Sequence, residues 1–168
     1  MSSPDTIFVG TFDGFSWLQC RGKGSFANSP TVKSFGESRI RSGERKIVVD
    51  LEACTAMDST FMGTLAGLAN HIRKANSGLI EVARPGEKNL ASLEELGLDF
   101  LLEVHPENPS WEPCIDEIRA KLAPASQTTG PSKQLILEAH QTLSDTNEKN
   151  AQTFCNVVTM LEKEAQTP

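Results

Sequence analysis

The sequence predicts an α/β fold, a mixed β-sheet with crossover helices, carrying a C-terminal helical extension. Three observations lead there. Lys46 to Leu51 is a short run dominated by Ile47, Val48, Val49 and Leu51, the pattern of a strand covered on at least one face; Phe61, Leu65, Leu68 and Ile72 then recur at helical spacing and form one apolar stripe. Upstream, two β-prone runs, Ile7 to Phe12 and Phe15 to Cys20, flank Asp13-Gly14, a strong hairpin signal. Downstream, strands and helices alternate, the order in which right-handed crossovers fix most of a mixed-sheet topology.

Each element has a local reason. Gly22, Lys23, Gly24 and Ser25 form a loop that leads through Asn28 into a helix, with Ser29 as its cap and Pro30 in the first turn. That helix turns Val32, Phe35 and Ile40 inward and ends near Gly43, where Arg39, Arg41, Arg45 and Lys46 complement the negative end of its dipole. A short loop follows the central strand, and Asp58, Ser59 and Thr60 stand at the joint with the next helix. Arg73 and Lys74 close that helix, with Gly78 as the left-handed cap. Leu79 to Ala83 reads as a strand, Asn89 to Leu96 as a helix stopped by Gly97, and Phe100 to Val104 as a further strand. Pro106, Pro109 and Pro113 break the next loop before a short helix carrying Ile115, Ile118 and Leu122.

These signals divide the chain into a domain over residues 1–123, a flexible linker over 124–132 and a helical hairpin over 133–168. The linker is marked by Pro124, Gly130 and Pro131 without a large apolar side chain. In the hairpin, Leu135, Ile136, Ala139 and Leu143 form one apolar face, and Phe154, Val157, Val158 and Leu161 form another. Two short amphipathic helices need a surface to cover those faces.

Composition narrows the function classes. A net charge of -6 with no broad basic face argues against nucleic acid as the main partner, since phosphate backbones call for clustered Lys and Arg. Cys20, Cys54, Cys114 and Cys155 are far apart and form no CxxC pair, so neither a metal knuckle nor a redox motif is expected, and reduced, mostly buried thiols are. No stretch approaches the ~20 apolar residues of a membrane span, and the start lacks a basic-then-apolar leader, so a cytoplasmic protein is expected.

Ser59 is the residue with chemical potential. A hydroxyl at a helix start lies beside free N–H groups and the positive dipole end, a place that tolerates phosphate, although Asp, Ser and Thr are also the ordinary helix caps. A nucleophile elbow wants small residues two before and two after the Ser, and Met57 and Phe61 stand there. His71 lies more than three turns further along the helix, and His105 and His140 belong to other segments, where they read as loop or surface residues. Gly22, Lys23 and Gly24 lack the spacing of a phosphate-binding loop, and metal ligands at helical or knuckle spacing are missing. An enzyme is therefore not expected, nor a metal or other cofactor. Gly63 and Gly67, four apart, allow close approach of a backbone, whether from the domain's own sheet, a partner helix or a second copy.

An apolar strand ending in Asp-Leu, a short loop, then Asp-Ser-Thr opening a Gly-containing amphipathic helix resembles the STAS domain of anti-sigma factor antagonists. GLIEVARP and KNLASLEELGLDFLLEV resemble the family's next strand, helix and last strand, so the resemblance covers roughly residues 5–123. It implies a STAS-like mixed sheet, phosphorylation at Ser59 with Thr60 the next candidate, and a partner surface made of Asp58, Ser59, Thr60, Phe61, Met62 and Gly63. The implied partners are an anti-sigma factor or related serine kinase and a serine phosphatase, with a homodimer possible. Phe61 and Met62 depart from the family, which places Gly and an aliphatic residue there. A large ring at that place is expected on the partner surface or directly beneath it. Two other readings stand beside this one: a constitutive STAS subunit of a transport or signalling assembly, and a small-ligand binder using the cleft beside Gly22 to Asn28.

Overall fold

The computed structural model describes residues 4–127 and 132–166. Its centre is a six-stranded mixed sheet. Strand β1 (Thr6–Phe12) turns at Asp13-Gly14 into β2 (Phe15–Gly24), and Gly14 takes φ +89°, as a two-residue hairpin turn requires. Helix α1 (Ser29–Arg41) leads to β3 (Lys46–Asp50), then β4 (Cys54–Met57), helix α2 (Ser59–Asn76) and β5 (Leu79–Ala83). Helix α3 (Glu87–Glu95), a 3₁₀ turn at Leu98–Phe100, helix α4 (Ile115–Ala120), the two-residue strand β6 (Ala123–Pro124), and helices α5 (Lys133–Thr146) and α6 (Glu148–Gln166) complete the order. The sheet runs β5-β3-β2-β1-β6, with β5, β3 and β2 parallel, β1 and β6 joining antiparallel, and β4 pairing with the end of β2.

Two apolar clusters sandwich the sheet. One face packs Leu18, Ile47, Val49 and Ile80 against Val32 and Ile40 of α1 and Phe61, Leu65 and Ile72 of α2, and Leu143 of α5 reaches this cluster. The other face packs Trp17 and Val48 against Trp111, Ile115 and Ile118. Trp17 and Trp111 meet edge to face, with centroids 5.4 Å apart. Below that pair the Asp50 carboxylate is wholly buried, and Arg119 pairs with it at 2.8 and 3.0 Å while the Trp17 indole N–H approaches at 3.3 Å. A buried charge demands such a partner. The Arg119 guanidinium is in turn held more firmly protonated by Asp50.

Several local expectations are corrected. The stretch after β3 is not a plain loop: Cys54–Met57 adds β4, made possible by a register shift at Gly22/Lys23 where Gly22 adopts φ +84°. Asn28, not Ser29, precedes α1, and its side chain turns back to accept from Ser25 N–H. Ser77, at φ 53°, takes the left-handed cap of α2, and Gly78 instead allows close approach, since a Cβ there would lie 2.4 Å from the Arg45 carbonyl oxygen. The strand expected over Phe100 to Val104 shrinks to one bridge, Glu81 to Glu103, because Leu98–Phe100 winds into a 3₁₀ turn that leaves Phe100 exposed. Pro124, assigned to the linker, sits in β6 at the sheet edge, and residues 128–131 of that linker lie outside the described residues.

Candidate functional site

The joint between β4 and α2 is held by one carboxylate. Asp58 caps α2 in extended conformation; its Oδ1 accepts from the Phe61 N–H and its Oδ2 from the Phe26 N–H, both at 2.8 Å. Its own N–H donates to the Gly24 carbonyl at 2.9 Å. Thus Asp58 ties the helix start to the loop after β2, and Phe26 on that loop stands 48% exposed beside it. Ser59 follows as the first helical residue, half-buried, displayed on the rim of this joint.

Its hydroxyl has a partner. Ser59 Oγ lies 2.8 Å from Nε2 of His140 on α5. His140 Nδ1 lies 2.8 Å from the Ile136 carbonyl oxygen, which can only accept, so Nδ1 carries a proton, and in the neutral tautomer that this fixes, Nε2 accepts from the Ser59 hydroxyl. This corrects the expectation for His140: it is a buried helical residue, 6% exposed and edge-on to Phe154, not a loop or surface one. His105 and His71 are exposed and stand elsewhere.

The other residues expected at a partner surface divide between two faces. Phe61 is wholly buried in the core, its ring filling the space beside Gly24, where a Cβ would approach it to 2.8 Å. Of the two places expected for it, on the partner surface or directly beneath, the exposed one is thereby corrected: the large ring compensates for a glycine on the neighbouring strand. Met62 joins the same core and Thr60 is 5% exposed, so Asp58, Ser59 and the exposed Phe26 form the accessible rim. Gly63 lies under α5, where an added Cβ would stand 2.4 Å from the Ala139 carbonyl oxygen. Helix α5 is therefore the neighbour for which that glycine makes room, where packing against the sheet was the first expectation.

Polar contacts fasten the remainder of α5 and α6. Lys33 of α1 pairs with Glu138 at 2.6 Å and holds its carboxyl below the usual range. Asn147 and Asn150 donate to the Leu96 carbonyl at 3.2 and 2.8 Å. Between α1, α2 and α5 a cavity of about 190 Å³ remains, lined in part by Lys33, Gly67, His71 and Thr142.

Among the described residues no group of three His, Cys, Asp or Glu could hold a metal ion, and no helix is long and apolar enough to cross a membrane. The four cysteines are free; Cys20 and Cys54 are buried, Cys114 and Cys155 exposed. Cys20 Sγ donates to the Gly22 carbonyl and Cys54 Sγ to the Ala56 carbonyl, and the interaction between the two thiols draws Cys54 down to about 7 while Cys20 is pushed up. In the cleft beside Gly22 to Asn28, a cavity of about 340 Å³, Asn28 and Ser29 bond to their own loop backbone.

Residues 9–109 match the model of the STAS domain, more than half of the chain, so the chain belongs to that family. No curated protein matches it. Solved structures of the same fold include an anti-sigma factor antagonist from Mycobacterium paratuberculosis, 23% identical, covering 71% of this chain and 99% of that one at TM-score 0.55. A putative anti-sigma factor antagonist from Thermotoga maritima is 19% identical, covering 66% of this chain and 92% of that one, also at TM-score 0.55. The Bacillus cell fate determinant SpoIIAA in its phosphorylated form is 16% identical, covering 67% of this chain and 99% of that one at TM-score 0.52. The family match ends before α5 and α6 begin.

His140 is the site residue that sequence reasoning missed. The available signal was its place on the apolar face of the hairpin beside Ile136, Ala139 and Leu143.

Proposed function

We propose that this chain is an anti-sigma factor antagonist-like regulator that binds an anti-sigma factor or related serine kinase and is switched by phosphorylation at Ser59. The observation that supports it is the placement of the Ser59 hydroxyl on the rim of α2, directly after a capping aspartate, in a STAS domain. Phosphate adds about -1.5 to -2 charges at that rim, close to the Asp58 carboxylate, and a partner seated on the unmodified helix end would then meet a dense negative surface. A serine phosphatase restores the binding form, and the protein acts in the cytoplasm without a cofactor. The fold relative SpoIIAA, known in a phosphorylated form, is consistent with this reading.

The Ser59–His140 pair is read as a latch and not as a catalytic dyad. A substrate carbonyl approaching Ser59 Oγ beside Nε2 would need the space where α5 packs, and the far ring nitrogen of His140 is held by a backbone carbonyl and not by a carboxylate. Thr60, the second candidate for phosphate, is too enclosed at 5% exposure to compete with Ser59. Intact-mass and peptide analysis of the protein from its native cell tests the proposal: a species heavier by one phosphate, mapped to Ser59 and lost in Ser59→Ala, is expected. Uniformly unmodified protein under all growth conditions would favour a constitutive STAS subunit instead.

A further inference from the structure

The partner face of a regulator should be open, yet here α2 is roofed by the chain's own hairpin. Helix α5 crosses α2 at Gly63, where the absence of a side chain lets the Ala139 backbone sit on the helix, and Gly67 and Thr142 continue the seam one turn on. At the end of that seam His140 engages the Ser59 hydroxyl at 2.8 Å. The roof is sewn on differently from the layer beneath it. Besides Leu143, which reaches the core, and Phe154 packed beside it, it relies on Lys33–Glu138, on the Asn147 and Asn150 bonds to Leu96, and on a seam that leaves a cavity of about 190 Å³. Helix α6, on the outside, buries only Asn150 among its described residues and leaves Val157 and Met160 exposed.

We infer that the α5–α6 hairpin is a self-bound competitor for the α2 face: it occupies, within the chain, the groove a partner's helix would use, and must release the half-buried Ser59 hydroxyl from His140 before that hydroxyl is free to react. The identity of Ser59 as the modified residue rests on the proposed function; the engagement of its hydroxyl by His140 does not. A partner suited to this groove presents an amphipathic helix with a small residue opposite Gly63, the shape that α5 itself displays with Ala139. The hairpin sets the threshold for binding, because a partner gains the groove only when its contacts exceed those of α5.

The test uses the full-length chain and no partner. In a Cys155→Ser background, Ser59→Cys is labelled with a 5-kDa polyethylene glycol maleimide, alone and combined with Gly63→Ala, with the exposed Cys114 as internal reference. Gly63→Ala places a methyl against the Ala139 carbonyl and so evicts α5, while alanine favours α2 itself. Hydrogen exchange of α5 and α6 is followed in parallel. The expected result is at least tenfold faster labelling at position 59 and faster exchange throughout α5 and α6, with β2 and β3 unchanged. A Gly67→Cys/Thr142→Cys disulfide across the seam, where the new Cβ lies 3.9 Å from the Thr142 Oγ1 position, should reverse both effects. Faster exchange without faster labelling would overturn the inference, since the hairpin would then move without uncovering Ser59. Exchange of α5 and α6 that rises only together with β2 and β3 would overturn it equally, showing a fixed part of the core. If covering is found but native protein carries no phosphate at Ser59, the phosphorylation reading fails and the competitor remains.

Discussion

Helix α2 has two covered faces, and they are covered by different chemistry. Toward the sheet it presents Phe61, Leu65 and Ile72, wholly buried against β-strand side chains. Toward α5 it presents Gly63, Gly67 and Ser59, met by a backbone carbonyl, a threonine and a histidine, with a cavity left between the helices. The first face is a core in the ordinary sense, filled by apolar volume. The second is mixed: Leu143 reaches the core, but along the rest of the seam polar contacts set register, and these exchange readily with those of water or another protein because their net contribution is small, about 0.5–1.5 kcal/mol each. One helix thus carries both a permanent interface and an exchangeable one.

Substitutions on the two faces should behave differently, and the largest effect lies on the sheet side. Phe61→Ala is expected to cost about 3–5 kcal/mol in chemical denaturation, lowering the stability of the whole domain, because it empties the space shared with Gly24. A loss below about 1 kcal/mol would mean that this face is no more firmly packed than the seam. Asp58→Ala comes next, at about 1–2 kcal/mol, since it removes a cap; the Phe26 N–H loses the same carboxylate. Faster exchange confined to the start of α2 and to the loop after β2 would locate the damage.

Ser59→Ala should cost about 1 kcal/mol by leaving His140 Nε2 without its donor, and the loss should register as faster exchange in α5 while the sheet amides stay protected. Uniform loss across sheet and hairpin would erase the contrast between the two faces. The smallest effect concerns pH. Glu138 is held below the ordinary carboxylate range chiefly by its hydrogen bond from Lys33, with Gln134 adding to it, and Lys33 also faces Glu37 at 3.9 Å. A lowered acid contributes stability that is present above its unfolded value, about 4.3, and is lost as pH falls through its lowered one. Hairpin exchange should therefore quicken modestly in acid, and less so in Glu138→Gln, where the titrating group is gone. Because Glu138 is partly solvated, the shift is smaller than that from Ser59→Ala.

Much of the fold was legible because its signals are local. Asp13-Gly14 set the first hairpin, the run after Lys46 marked β3, and the stripe from Phe61 to Ile72 marked the inner face of α2. The Asp58-Ser59 joint was legible for the same reason. What escaped depends on distant pairing. Strand β4 exists because Gly22 bends β2 toward it, and β6 because β1 offers a free edge; neither run looks like a strand alone. His140 could be found only by knowing that the apolar face of α5 docks on α2, which brings together residues separated by 81 positions. Phe61 left two places open, on the surface or directly beneath it, because the Gly24 that makes room for its ring lies on another strand.

The short strand β6 also fixes where the hairpin can go. Ala125 is pinned by its N–H to the Ile7 carbonyl at 2.9 Å, and α5 begins with the capping Ser132, so six residues of sequence separate the two points. Fully extended, six residues reach about 20 Å. A hairpin that has let go of α2 therefore stays within a small sphere around its groove, at an effective concentration of the order of millimolar. Any free helix of equal intrinsic affinity would have to reach that concentration to hold the groove half the time. The chain thereby ignores weak and scarce competitors and answers to a tight one, with the length of six residues acting as the dial.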